Sequence, residues 1–446
     1  MNLKKDYKQY FTPAKLAEYM VNMIPDEQID SVIDLSMGEC GLLEETKKRW
    51  GAVALYGADI DETLISRIHA RSPYIHTYLG DSLSSDIESW EGYNKIVDAG
   101  GFDLAIANPP FNFYDQKEVC LNGEKLSLPI EIRFLLKYID IVKEEGFICI
   151  ILPYGFLSLD LYENFRMKIL SKVTIIKIVK IFRGCFEKID ADTCLVLMKK
   201  NRMHEAVAQK KITIGYLSDE YKLINKHVVS TARVKRWDLE YQQLLASECL
   251  FYTRFEKVAL KKYIKECRRG KSITKNRGLL SEKGVRFIHT TDVKKLYISN
   301  ECKQYINDSK NIFKNAALKK NDVLIGRVGQ GCIGKIGIVS KKYPKLFFSD
   351  CLFAIESVNI NPYYLTLFLA SDFGQMQLKG MAKGSCSKYI TREDLLRLCV
   401  LVPDNCMQEY FGSKYKLLLS RPGRGNKEVL FGNLLTELNE VIRQKG

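Results

Sequence analysis

The hydrophobic positions of this chain change period repeatedly over its first 200 residues. Leu16, Ala17, Met20, Val21 and Ile24 recur at helical spacing. They follow Phe11-Thr12-Pro13-Ala14, in which Thr12 can cap the helix and Pro13 suits its first turn. Ser31 to Leu35 is a short apolar strand entering a turn with two glycines, Gly38 and Gly41, before a helix from Leu42 to Trp50. A second strand, Ala52 to Ala58, ends in Asp59-Ile60-Asp61, and Tyr78-Leu79-Gly80-Asp81-Ser82 ends a third. Phe102 to Ala107 is an apolar run carrying one acid, Asp103, as a buried strand would. It stops at Asn108-Pro109-Pro110-Phe111, where two prolines forbid further ladder pairing.

A helix is expected from Glu131 to Glu144, burying Ile132, Leu135, Leu136, Ile139 and Val142 and ended by Gly146. Phe147 to Leu152 is a fully apolar strand closed by Pro153. Val173 to Phe182 and Thr193 to Met198 make a closing antiparallel hairpin around the turn Arg183 to Lys188. Strands alternating with helices and ending in polar turns predict an α/β, doubly wound, mixed sheet. Residues 201 to about 245 are mixed and charged, the composition of a connection, so the expected domains are 1–245 and 246–446. The second half carries short strands with glycine turns around 267–275, 285–293 and 320–337. A helix from Pro362 to Gln377 and a short one opened by Thr391 and Glu393 follow. A last helix, Val429 to Ile442, has an apolar stripe at Leu430, Leu434, Leu438, Val441 and Ile442 that must pack on something, its own core or a second copy.

Composition narrows the class. At 446 residues, 46% hydrophobic and 27% charged, the chain is folded rather than disordered and long enough for two cores. No apolar run reaches membrane-spanning length, and MNLKKDYKQYF lacks a secretory core, so a cytoplasmic protein without a membrane partner is expected. The 13 cysteines form no CxxC pair and only five histidines could join them. Reduced, mostly buried thiols and no metal are expected.

The charge is unevenly divided. Residues 1–200 hold 24 Lys+Arg against 30 Asp+Glu, a net of −6, whereas residues 201–446 hold 44 against 23, a net of +21. A mildly acidic half joined to a strongly basic one suggests a catalytic domain beside one that lies on a polyanion.

The chemistry centres on Asn108. It sits at the carboxyl end of a central strand, where open α/β sheets place their sites. The Asn108 side-chain oxygen and the Pro109 carbonyl can both accept hydrogen bonds from one planar NH2 group, and Phe111 offers a stacking face. The plain alternative is a strand followed by a Pro-Pro turn. Acids recur at the other strand ends. Asp34 suits an ammonium group better than a pyrophosphate, Asp59 falls where ribose hydroxyls are usually bound, and Asp81 can accept from an adenine amino group. Each, taken singly, is equally a turn or cap residue.

This order of segments resembles the gamma arrangement of S-adenosylmethionine-dependent DNA adenine amino-methyltransferases. The matching pieces are FTPAKLAEYM at 11–20, VIDLSMGECG at 32–41, LYGADIDE at 55–62, GDSL at 80–83, NPPF at 108–111, ICIILPYGFL at 148–157 and CFEKIDADTCLVLMKK at 185–200. The chain departs from the family in having Leu35-Ser36 in the first glycine motif and Phe111 where many relatives have Tyr. The resemblance implies a Rossmann-like methyltransferase domain that binds S-adenosylmethionine. Thr12, Asp34, Gly38 and Gly41 would hold its methionine end, Asp59 its ribose, and Ile60 and Asp81 its adenine. It also implies that Asn108, Pro109, Pro110 and Phe111 form the catalytic turn, with Phe186 a second aromatic against the target base. That base must rotate out of the duplex to be reached.

The second half resembles the target-recognition domain of type I restriction specificity subunits, which implies a basic α+β domain on double-stranded DNA. Arg268, Arg269, Lys271, Arg327, Lys335, Lys383 and Lys388 lie in turns where they could meet phosphates or base edges, about half of them expected to do so. The expected function is site-specific DNA adenine-N6 methylation in restriction-modification or related control. A separate restriction endonuclease is a possible partner, and the protein a monomer or dimer. Methylation of RNA or of a protein glutamine, and a non-catalytic DNA-binding module, are the alternatives.

Overall fold

The computed structural model describes residues 11–121, 123–187, 191–202, 211–230, 235–250, 255–299, 301, 304–308, 311–341, 345–421 and 427–443. The opening residues 1–10, Lys188, and residues 203–210 and 231–234 of the expected connection lie outside them. The chain divides into two compact units, residues 1–242 and 243–446.

The first unit is built on one nine-stranded sheet. Its elements are α1 (Ala14–Met23), β1 (Ser31–Asp34), α2 (Gly41–Trp50), β2 (Ala54–Asp59), α3 (Glu62–Arg71), β3 (Ile75–Leu79), α4 (Glu91–Asp98) and β4 (Phe102–Ala107). A hairpin of β5 (Gln116–Leu121) and β6 (Glu124–Pro129) leads into α5 (Ile130–Ile141) and β7 (Val142–Pro153). Then come α6 (Gly155–Ser158), α7 (Glu163–Ile169), β8 (Val173–Ile181), β9 (Thr193–Lys200), β10 (Lys211–Leu217) and β11 (Leu223–Ser230). The division between the units falls within α8 (Leu239–Leu250).

The strand order is β11-β10-β8-β9-β7-β4-β1-β2-β3. From β3 to β7 every neighbour is parallel, while β9 runs antiparallel to both β7 and β8. The chain winds outward from β1 to β3, then returns to place β4 on the other side of β1. That reversal leaves a crevice at the carboxyl ends of β1 and β4, the switch point of an open sheet. Successive residues of the central strands supply opposite faces. Ile148, Ile150 and Leu152 of β7 join one core, whereas Phe147, Cys149 and Ile151 join the other. This double burial is why these strands are continuous apolar runs rather than alternating ones. The one acid of β4, Asp103, is held by Ser31 N and Oγ at 2.8 and 2.7 Å and paired with Lys143.

Three sequence expectations change. The charged stretch after residue 200 is not a connection: β10 pairs in parallel with β8, and β11 pairs antiparallel with β10. Trp237 beyond them is fully buried in the core. As the edge strand of the sheet, β11 is far more exposed than the central strands and carries polar residues such as Asn225, Lys226 and His227. The helix α5 ends at Ile141, because Val142 pairs with Phe102 as the first residue of β7. The expected helix 362–377 is two helices, Pro362–Ala370 and Asp372–Met381, broken where Ser371 takes an extended conformation and caps the second through Gly374 N.

The second unit contains β12 (Glu256–Ala259), β13 (Ile264–Arg269), β14 (Leu280–Ser281), β15 (Val285–Ile288) and β16 (Tyr305–Ile306). It continues with β17 (Val323–Gly326), β18 (Ile336–Ile338), β19 (Phe347–Phe348), β20 (Leu352–Ser357) and β21 (Cys399–Val402). These form sheets ordered β13-β20-β17-β18 and β14-β16-β15-β19, with β12 paired to β21. The helices are α9 (Pro362–Ala370), α10 (Asp372–Met381), α11 (Arg392–Leu396), α12 (Asn405–Ser420) and α13 (Lys427–Arg443). Thr391 and Asp394 form a reciprocal capping box at α11. The stripe of α13 is buried at Phe431, Leu434, Leu435, Leu438 and Ile442 in this unit's own core. No helix among the described residues is long and apolar enough to cross a membrane.

Candidate functional site

The carboxyl ends of β1, β2 and β4, and the turn after β3, open onto one cleft of about 1050 Å³ counted to its mouth. Its walls include Gly38, Asp59, Ile60, Asp81, Asn108, Pro109, Pro110 and Phe111, eight positions singled out in the sequence. They are separated by up to 73 positions of chain, and the parallel winding of the sheet alone brings them together.

The turn after β1 is shaped by backbone conformation. Gly38 has φ +52°, the left-handed region that favours glycine, and a Cβ there would stand 3.3 Å from the Phe11 ring. Gly38 N donates to Asp59 Oδ2 at 3.0 Å, and Asp61 N donates to Asp59 Oδ1 at 3.0 Å. Asp59 thereby ties two strand ends together with a carboxylate that is 7% exposed, and burial raises its pKa. Ser82 Oγ donates to Leu35 O at 2.8 Å, fixing the end of β3 to that of β1. Asp81 is exposed and accepts from Leu83 N at 2.9 Å. Asp61 caps α3 through Thr63 N and Leu64 N.

Asn108 is half-buried, and its Nδ2 donates to Thr12 Oγ1 at 3.2 Å. Thr12 therefore does not cap α1: the cap is Pro13, with no side-chain bond, and the hydroxyl serves Asn108 instead. Behind Phe111 the chain makes a turn fixed from α5. Glu131 Oε2 accepts from Asn112 N at 3.2 Å, and Arg133 pairs with Asp115 at 2.8 Å.

Four of the sequence-selected residues fall off the cleft wall. Besides Thr12, Asp34 is 1% exposed and turned inward, its Oδ1 accepting from Ser36 N at 2.9 Å and facing Tyr138 Oη. Burial raises its pKa to about 7, with the neighbouring Asp59 charge adding to the effect. Gly41 opens α2. Phe186 is 6% exposed, packed in the core cluster against which Phe111 and Phe182 also rest, so its ring is core in this conformation. Conversely Phe11, Arg133 and Phe134 line the cleft without having been singled out. Phe11 stood next to Thr12 in the matched segment, whereas nothing in the sequence joined Arg133 to Asp115.

The basic residues of the second unit separate into two groups. Arg268 has a 12% exposed side chain, pairs with Asp322 at 2.6 Å and donates to Ala317 O. Lys383 is 5% exposed and pairs with Asp394 at 3.1 Å. Lys383 is thus buried and Arg268 half-buried, and each charge is matched by a carboxylate of the same unit, as a charge removed from water requires. Arg269 and Lys271 are exposed; Arg269 meets Asp350 at 3.4 Å and Lys271 Nζ donates to Ile312 O at 2.8 Å. Arg327, Lys335 and Lys388 are half-buried. Arg327 Nη1 donates to Asp350 O at 3.0 Å and Lys335 Nζ to Thr290 O at 3.1 Å. Among the described residues, no three His, Cys, Asp or Glu side chains are grouped as a metal site requires.

The chain is 21% identical to a type II methyltransferase of Bacillus subtilis, over 49% of this chain and 47% of that protein. It is 25% identical to a putative type II restriction enzyme and methyltransferase of Methanocaldococcus jannaschii, over 24% of this chain and 9% of that one. It thus spans less than half the length of the curated relatives it matches. The crystal structure of a type I restriction-modification methyltransferase subunit from Streptococcus thermophilus aligns with 48% of each chain, at 21% identity and a TM-score of 0.39. The family model described as N-6 DNA methylase matches residues 1–259, more than half of the sequence, and the protein belongs to that family.

Proposed function

We propose that the protein is an S-adenosylmethionine-dependent, site-specific DNA methyltransferase acting on the exocyclic amino group of adenine in restriction-modification or related control. The observation that carries this reading is the tethering of Asn108 to Thr12 at the carboxyl end of β4, with Pro109 and Phe111 in the same cleft wall as Asp59.

The cleft fits the donor. Asp59 is a buried acceptor at the end of β2, suited to ribose hydroxyls, with exposed Ile60 beside it for an adenine face and Asp81 for an amino group. Gly38 lets the backbone of the first turn approach closely. S-adenosylmethionine, when bound, supplies the methyl group.

The chain's own part is positioning. The amino lone pair of adenine is delocalised into its ring and is a poor nucleophile. The Asn108 side-chain oxygen and the Pro109 carbonyl, accepting the two N–H bonds, favour a pyramidal nitrogen whose lone pair is directed at the methyl carbon. Phe111 stacks on the base, which reaches the cleft only by leaving the duplex. The surplus proton passes to water, and no strongly basic side chain is needed. In the second unit, Arg269, Lys271, Arg327, Lys335 and Lys388 are the proposed DNA contacts, and target choice is assigned to that unit.

The test is transfer of labelled methyl from S-adenosylmethionine to duplex DNA, RNA and protein offered together. Duplex DNA should be the acceptor. Asn108→Ala should lower transfer by roughly a hundredfold or more while DNA binding persists. Wild-type protein that binds DNA but transfers nothing would leave a non-catalytic binding module.

A further inference from the structure

Beside the cleft stands a feature that the proposed reaction, as described, does not use. Phe113 is 50% exposed and Tyr114 is 92% exposed, their rings meeting edge to face at 5.9 Å. An aromatic ring left almost wholly in water gains nothing for folding. Yet the turn that carries it is closely held. Tyr114 N donates to Asn112 Oδ1 at 3.2 Å and Asp115 N to Asn112 O at 3.0 Å. Gln116 Nε2 donates to Phe113 O at 2.6 Å. From below, Glu131, 3% exposed, accepts from Asn112 N, and Arg133, 9% exposed, pairs with Asp115. Two buried charges of opposite sign thus fix the two ends of a turn whose tip is bare aromatic surface.

The placement matters. Tyr114 is three residues beyond Phe111, so its backbone lies within about 11 Å of the cleft wall. A nucleotide rotating into the cleft leaves behind a gap lined by the flat faces of its neighbours, and proteins that deform duplexes commonly fill such gaps with apolar or aromatic side chains. Resting on the methyltransferase reading above, we propose that Tyr114, supported by Phe113, inserts into the base stack and occupies the space vacated by the target adenine. The Glu131 and Arg133 contacts act as positioning residues that keep the turn from folding back. Stacking is tolerant of sequence, so the contribution is to holding the base out rather than to choosing the site.

The experiment uses the full chain. The modified adenine is first mapped in DNA from cells expressing the protein, and a short duplex carrying that site is made in two forms, one fully paired and one abasic opposite the target. Phe113→Ala/Tyr114→Ala should lower kcat/KM on the paired duplex by roughly tenfold, the scale of one lost base-stacking contact, and by no more than about twofold on the abasic form, where the adenine has no partner to leave. Tyr114→Trp, which keeps a stacking face, should stay within about twofold of wild type on both. The inference is overturned if the double variant matches wild type on the paired duplex, or loses equally on both forms, as it would if the turn only shaped the cleft. Absence of transfer by the wild-type protein would instead sink the methyltransferase reading itself, and this one with it.

Discussion

Asn108 Nδ2 donates to Thr12 Oγ1 at 3.2 Å, across 96 positions of sequence. This bond orients the amide, directing its nitrogen to the Thr12 hydroxyl and its oxygen away from it. Thr12→Val keeps the shape and removes the acceptor. Methyl transfer should fall by roughly tenfold or more through loss of orientation, while equilibrium binding of S-adenosylmethionine changes little. Equal loss in both would place Thr12 on the donor instead.

Asp59 receives two backbone N–H groups, from Gly38 and Asp61, and lies in the cleft wall. Asp59→Asn keeps one acceptor oxygen and removes the charge. Donor affinity should drop by roughly 10- to 100-fold, as hydrogen bonds to charged groups are worth more than neutral ones. Calorimetric titration with S-adenosylmethionine measures this directly, and an unchanged Kd would remove Asp59 from the donor site.

Arg268 and Arg269 are adjacent but lie in opposite environments. Arg268→Ala would strand the 1% exposed side chain of Asp322 and should cost about 3 kcal/mol in denaturant unfolding. Arg269→Ala should leave stability nearly unchanged and instead weaken DNA binding and flatten its salt dependence. Reversal of the two outcomes would contradict the internal role of Arg268.

Asp34 supplies a pH test. Its folded pKa is pushed up to about 7 by burial, against an ordinary value of 3.8, so the folded state binds the proton more tightly than the unfolded one. Between those limits stability must fall as pH rises, the contribution being complete below about 4 and lost near 7. Asp34→Asn, which cannot ionise, should gain on wild type across that window, by about 1–3 kcal/mol at its upper end. Parallel stability curves for the two proteins from pH 4 to 7 would refute this origin.

The cleft was legible because its residues end strands. Asp59 and Asn108 each follow an apolar run and Asp81 follows the end of β3, and a doubly wound sheet collects such ends at one edge whatever their separation in sequence. What escaped the sequence was direction. In β13, Arg268 and Arg269 have the same charge and neighbouring positions, and only strand alternation sends one inward to Asp322. Phe186 matched a motif position, but packing decides whether an aromatic ring faces a ligand or a core. Arg133 and Asp115 were invisible as a pair because the β5–β6 hairpin stands between them and only its folding back brings them together. The strands after residue 200 were missed since an outer strand needs apolar residues on one side only.

Those late strands set where the first unit can be cut. Removing everything after Lys200 would take away β10 and β11 and the buried Trp237, leaving the backbone of β8 unpaired along its outer side. A bare row of amides and carbonyls beside Ile175, Ile178 and Val179 is a template for a second chain. A fragment ending there invites aggregation, and fragment design for crystallography or NMR should therefore run at least to Gln242.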